Sequence, residues 1–145
     1  MNLRRSASVE YLNTHSVNTA AHNCGIRVED IGEDWIQASM PFDERTRGLD
    51  GSLKLGALAI LAESVGSLAA AISVDRDKFA CVGQTLQVIH LNAAVQGPVN
   101  AKATALMAED GDRQIWEIGI SDATSTPIAN AKLVVVILPR SQLSI

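Results

Sequence analysis

The chain has 145 residues, 47% hydrophobic but only 3% aromatic, and a formal net charge of −4. That length suits a single domain over residues 1–145 with one core, built here from Ala, Val, Ile and Leu. Charged residues make up 19%, too few for a disordered chain of this hydrophobicity, and no basic stripe interleaved with aromatics points to a nucleic-acid partner.

The N-terminal stretch MNLRRSASVEYLNTHS is basic but has no apolar segment of the kind a secretory signal carries. Cys24 and Cys81 lie far apart and form no CxxC pair, so free thiols and a reducing, cytoplasmic setting are expected. Ser8 to Val17 reads as a short helix capped by Ser8. Gly25–Ile31 and Trp35–Pro41 read as strands around the turn Gly32-Glu33-Asp34. A polar loop, Phe42–Ser52, carries Arg45, Arg47 and two glycines before an apolar helix over Leu55–Val74.

The rest is β. Ala80–Leu91 alternates, which places Val82, Gln84, Leu86, Val88 and His90 on one face. A turn at Gln96-Gly97-Pro98 leads to Val99–Ala108, then to an acidic hairpin at Glu109-Asp110-Gly111-Asp112. Arg113–Ser121 sets Trp116, Ile118 and Ile120 on one face, and KLVVVIL within Ile128–Leu138 suggests burial on both faces. The order predicts an α+β domain, an antiparallel sheet packed on one dominant helix.

The 20 residues of Leu55–Val74 are long enough to span a membrane, but a central Glu is costly in hydrocarbon. The expectation is a buried helix of a globular domain, with no membrane partner. On a helical wheel Leu58, Leu61, Val65, Leu68 and Ile72 form a bulky stripe. Gly56, Ala59, Glu63, Gly66, Ser67 and Ala70 form a small-residue face that lets a ligand or second subunit approach.

Glu63 is the only ionisable residue in this helix. A carboxylate loses hydration in such a setting, a cost that chains seldom carry without a reason. Ser67 lies one turn further along the same face, so carboxylate and hydroxyl can hold a water between them. That pair suits a general base or a nucleophile, and equally a structural Glu bonded to Ser67 or to a partner chain.

The stretch RTRGLDGSLKLGALAILAESVGSLAA resembles the active-site segment of hot-dog-fold acyl-CoA thioesterases. The match is nearest to the PaaI-like branch that includes 4-hydroxybenzoyl-CoA and dihydroxynaphthoyl-CoA thioesterases. Those proteins read R-T-x-Q-x-x-G-x-x-H-G-G-A-x-x-x-L-A-E-S-x-G-S here, and the spacing fits without a gap. SVEYLN, GIRVEDIGEDWIQASMPFDERT and CVGQTLQVIHLNAAVQGPV also look like the family, so the resemblance covers nearly the whole chain.

The resemblance implies a hot-dog fold, an antiparallel sheet wrapped around one long central helix, and hydrolysis of an acyl-CoA or another acyl thioester with no cofactor; no metal is expected, because His15, His22 and His90 show no ligand spacing with Cys or carboxylates. It implies a homodimer or dimer of dimers, each site combining one chain's helix with the other chain's strands. The family's catalytic carboxylate falls on Glu63 and its water-positioning hydroxyl on Ser67. The backbone N–H that meets the thioester oxygen falls on Leu55. Substrate contacts fall on Gly48, Lys54, Gly83 and His90.

Three positions depart from the pattern. Lys54-Leu55 stands where the family has His-Gly, and Gly48 stands where it has the Gln that bonds the thioester. The acidic hairpin replaces a basic cluster that faces coenzyme A phosphates, leaving Arg113, Lys132, Arg140 or a partner chain to supply positive charge. These departures keep two alternatives open: a non-catalytic acyl-binding protein, and an enzyme acting on carrier-protein-bound acyl groups. Another reaction on a hot-dog scaffold, such as dehydration, ranks last because no Asp/His pair stands near Glu63.

Overall fold

A computed structural model describes residues 2–93 and 97–143 of the chain. Two short helices, α1 (Val9–His15) and α2 (Ala20–Asn23), precede strands β1 (Arg27–Ile31) and β2 (Trp35–Met40). The long helix α3 (Leu55–Ser73) follows, and β3 (Phe79–His90), β4 (Val99–Asp110), β5 (Arg113–Ser121) and β6 (Pro127–Pro139) complete the domain. The strands form one antiparallel sheet in the order β1-β2-β4-β5-β6-β3, with α3 against one face. This is the α+β hot-dog arrangement expected from the sequence.

Local chemistry fixes the elements. The Ser8 side chain accepts from the Tyr11 N–H at 3.1 Å, the anticipated cap of α1. Thr19 caps α2 the same way, a four-residue helix too short for its periodicity to be read beforehand. On β5 the inward residues Trp116, Ile118 and Ile120 are buried, as alternation predicts. Gln114 is also buried. It donates to Ser73 Oγ at 2.8 Å and accepts from the Trp116 indole at 3.1 Å, so three polar groups of the core are satisfied together.

Helix α3 has the length and hydropathy of a membrane span, yet 56% of that window is buried inside the protein. Fully burying Leu58, Leu61, Val65 and Ile72 contributes about 1.5–3 kcal/mol each. The two faces differ from the wheel prediction. Gly66 and Ala70 are buried against the sheet, whereas Leu68 is only half-buried on the side of Glu63. The cause is that the concave sheet takes up more than half the circumference of the helix. Gly66 marks the closest approach, since a Cβ there would lie 2.6 Å from Leu133 Cδ2.

Two strand expectations are corrected. A bulge between Gly83 and Thr85 shifts the phase of β3, so Leu86, Val88 and His90 share the face that Cys81 and Gly83 occupy before it, and Val82 falls on the other. On β6, Val134 and Val136 are half-exposed rather than buried, because the outer face of this single sheet has no covering layer. The expected turn at Gln96-Gly97-Pro98 begins outside the described residues, as do the side chains of Ala108, Glu109 and Asp110 in the acidic hairpin. Asp112 in that hairpin pairs with Arg113 at 2.6 Å.

Candidate active site

The loop before α3 sets where that helix begins. Arg45 pairs with Asp43 at 2.6 Å and holds its carboxyl well below the ordinary range, at about 2. Thr46, buried, donates to the Pro41 carbonyl at 2.8 Å. Arg47 bridges to Leu53, and the Lys54 N–H reaches the Thr46 carbonyl at 3.0 Å. Lys54 is thereby the N-cap residue, in extended conformation at φ −75° and ψ 136°, and its side chain makes no capping bond.

The Lys54 carbonyl accepts from the N–H groups of Ala57 and Leu58. Those of Leu55 and Gly56 have no acceptor among the described residues, as expected in the first turn of a helix. Both residues are exposed, Leu55 by 48%. The first turn carries no acidic side chain, so the positive end of the helix is not neutralised from within. Such an end suits a developing oxyanion.

Two turns further along, Ser67 Oγ donates to Glu63 Oε1 at 2.6 Å. The distance is that of a short hydrogen bond to a charged acceptor. Among the described residues Ser67 is the only hydrogen-bond partner of Glu63. Both side chains are half-buried. Gly83 lies directly above them at the β3 bulge, where a Cβ would stand 3.3 Å from Glu63 Oε1 and 3.9 Å from Ser67 Oγ. Thus this chain's own β3 meets the carboxylate, where the resemblance had implied the strands of a second chain.

Glu63 and Ser67 open into a cleft of about 370 Å³. Its walls include His15, Thr19 and Ala21 from the N-terminal segment, Leu68 and Ala71 from α3, and Cys81 from β3. Leu68 was expected on the bulky helix stripe and Cys81 as a free thiol, and none of these wall residues was expected at the site. The Ala-Ala pair beginning α2 is the signal that could have found them, because only small side chains let that segment approach α3. Cys81 donates to the Ala70 carbonyl at 3.4 Å, and burial pushes its thiol up, away from the reactive thiolate.

The sequence-predicted residues therefore fall into groups. Glu63, Ser67 and Gly83 converge. Gly48, Lys54 and Leu55 gather at the start of α3, eight residues before Glu63, or about 12 Å along the helix axis from Leu55. His90 sits opposite Ala129 at the far end of β3, roughly 20 Å along the strand from Gly83, whose partner is Val135. One thioester cannot touch both Leu55 N–H and Glu63 of a single chain. Among the described residues no three His, Cys, Asp or Glu side chains converge as metal ligands.

No protein-family model matches the chain. Over 135 residues it is 35% identical to proofreading thioesterase EntH of Cronobacter sakazakii, covering 93% of this chain and 97% of that one. It is 32% identical over 136 residues to 1,4-dihydroxy-2-naphthoyl-CoA hydrolase of Escherichia coli, covering 93% and 98%. Among solved structures, thioesterase HI1161 of Haemophilus influenzae aligns over 100% of both chains with a TM-score of 0.93 at 30% identity. A mutant thioesterase from Pseudomonas aeruginosa aligns over 94% of this chain and 97% of its own, with a TM-score of 0.90 at 34% identity.

Proposed function

Since the chain belongs to the hot-dog thioesterase family and is a thioester hydrolase, we propose that Glu63 is its catalytic carboxylate and that each active site is shared by two copies of the chain. The carrying observation is the Glu63–Ser67 pair at an open cleft, with the Leu55 and Gly56 N–H groups, unpartnered among the described residues, about 12 Å away along the same helix. Two α3 helices running antiparallel about a two-fold axis bring the start of one to the middle of the other. The exposed edge of β3, with Phe79, Val82, Ile89 and Leu91 partly open to solvent, supports pairing along that strand.

In this reading the acyl group occupies the cleft beside Ala21, Leu68 and Ala71, and the thioester carbonyl meets the Leu55 N–H of the second copy. Ser67 fixes one oxygen of Glu63. The other oxygen takes a proton from water as that water attacks the carbonyl carbon. The tetrahedral oxyanion rests on the helix N-terminus, then collapses with breakage of the C–S bond, and Glu63 hands its proton to the departing sulfur, so that thiol and carboxylic acid leave and the carboxylate is restored. Single turnover in isotope-labelled water separates this from attack by Glu63 itself followed by water attack on the Glu63 carboxyl carbon of the anhydride, which would place label in the protein. Compact aryl-CoA esters are the first substrates to try, given the relative that hydrolyses 1,4-dihydroxy-2-naphthoyl-CoA.

Subunit complementation tests the shared site. Glu63→Gln and Leu55→Pro proteins, each inactive, are unfolded, mixed in equal amounts and refolded. Half of the dimers are then mixed, each with one intact site, so activity returns to about a quarter of wild type. No recovery in verified heterodimers sinks the shared-site reading.

A further inference from the structure

His15 lines the cleft beside Glu63 but has no part in the hydrolytic steps above. It ends α1, a short helix that is firmly tied down. Asn13 accepts from the Val28 N–H and donates to the Val28 carbonyl, each at 2.9 Å, and Leu12 is buried in the core. The imidazole is held in turn. It stacks on Tyr11, one turn earlier, with ring centroids 4.0 Å apart, and the Arg76 guanidinium lies over the Tyr11 ring at 5.0 Å. His15 Nδ1 lies 2.8 Å from the Tyr11 carbonyl. A carbonyl only accepts, so Nδ1 carries a proton. In the neutral ring Nε2 is then an acceptor, and it has no partner among the described residues.

Most other polar groups of the cleft are engaged. Ser16 Oγ donates to the Leu12 carbonyl at 2.8 Å, Thr19 Oγ1 to the Ser16 carbonyl at 2.6 Å, and Ser67 Oγ to Glu63. The Ser64 hydroxyl has no partner among the described residues, but a hydroxyl turns to suit a donor or an acceptor alike. Ala20, Ala21, Leu68 and Ala71 make the rest of the lining largely apolar. A cleft of about 370 Å³ with such walls and one fixed acceptor can hold a ring and tell a donor on it from an acceptor. We propose that His15 is a specificity-determining residue: its Nε2 accepts a hydrogen bond from a hydroxyl on the acyl group, so the enzyme selects acyl groups that carry a donor over those whose oxygen is capped as an ether. This rests on the placement of the acyl group in the cleft beside Glu63 and names the side chain that reads it.

The test is isothermal titration of Glu63→Gln protein, in which hydrolysis is blocked. The probes are benzoyl-CoA, its 3- and 4-hydroxy derivatives and their methyl ethers. One hydroxy ester binds about 3- to 10-fold more tightly than benzoyl-CoA, and its methyl ether loses that advantage. Adding His15→Phe keeps an aromatic ring against Tyr11 and removes the acceptor, which brings the ratio of the two affinities to about one. A preference that survives His15→Phe, or that Ser64→Ala alone abolishes, overturns the proposal. So does a methyl ether that binds as tightly as its parent phenol, or failure of every ester to bind. A preference lost with His15→Phe, in a protein whose Glu63 form releases no thiol from any of these esters, leaves the role of His15 standing and removes the hydrolase reading instead.

Discussion

Replacing Leu55 by proline deletes one hydrogen-bond donor and almost nothing else. Leu55 is the first residue of α3, and its N–H has no acceptor among the described residues. Proline is favoured at that position, since its fixed φ suits the helix and the missing donor is one that the helix does not use. The preceding residue must be extended, and Lys54 already is, at φ −75° and ψ 136°. Leu55 is 48% exposed, so part of an aliphatic contact is lost, while reduced freedom of the unfolded chain returns about 0.4–1 kcal/mol. Net stability should stay within about 1 kcal/mol of wild type, or a few degrees in Tm.

Losing an oxyanion donor, by contrast, costs about 10²–10³ in kcat. The assay is steady-state thiol release from benzoyl-CoA, with Leu55→Ala as control, because alanine removes the side chain and keeps the N–H. The expected outcome is a Leu55→Ala protein within several-fold of wild type and a Leu55→Pro protein hundreds-fold slower. If the two variants hydrolyse at similar rates, the backbone of residue 55 plays no part in catalysis.

Two further substitutions probe the surroundings. Gly83→Ala puts a methyl 3.3 Å from Glu63 Oε1 and 3.7 Å from Leu133 Cδ1, so kcat should fall about tenfold with little change in Tm; unchanged kcat would mean that the β3 bulge leaves the carboxylate free. Gln114→Leu strands the buried Trp116 indole N–H, while Ser73 Oγ keeps its bond to the Ala70 carbonyl at 2.7 Å, and should destabilise the protein by about 1–3 kcal/mol in urea unfolding, leaving kcat of the folded enzyme alone.

Most of the fold was legible because its elements have clear periods: 3.6 in Leu55–Val74 and 2 in β5, where Trp116, Ile118 and Ile120 all point inward. Misreadings arose where tertiary contact overrides period. Gly66 is a point of close packing against Leu133, and a small side chain looks the same in sequence whether it faces a sheet or solvent. The bulge beside Gly83 adds one residue to β3, which no alternation rule reveals. For the site, Glu63 was conspicuous as the lone charge in an apolar helix, and Ser67 followed from helical spacing. The cleft walls at His15 and Thr19 come from a segment distant in sequence, and the closeness of Gly48 to Lys54 depends on how one loop closes.

The most direct test of the whole account is Glu63→Gln. The amide keeps the shape of the side chain, and its oxygen can still accept the Ser67 hydroxyl, so the fold and melting temperature should hold. What disappears is the capacity to take a proton or to attack. Thiol release across a panel of aryl and aliphatic acyl-CoAs should fall by about 10³-fold or more. Undiminished release from a correctly folded Glu63→Gln protein would contradict the assignment of the carboxylate and the mechanism built on it.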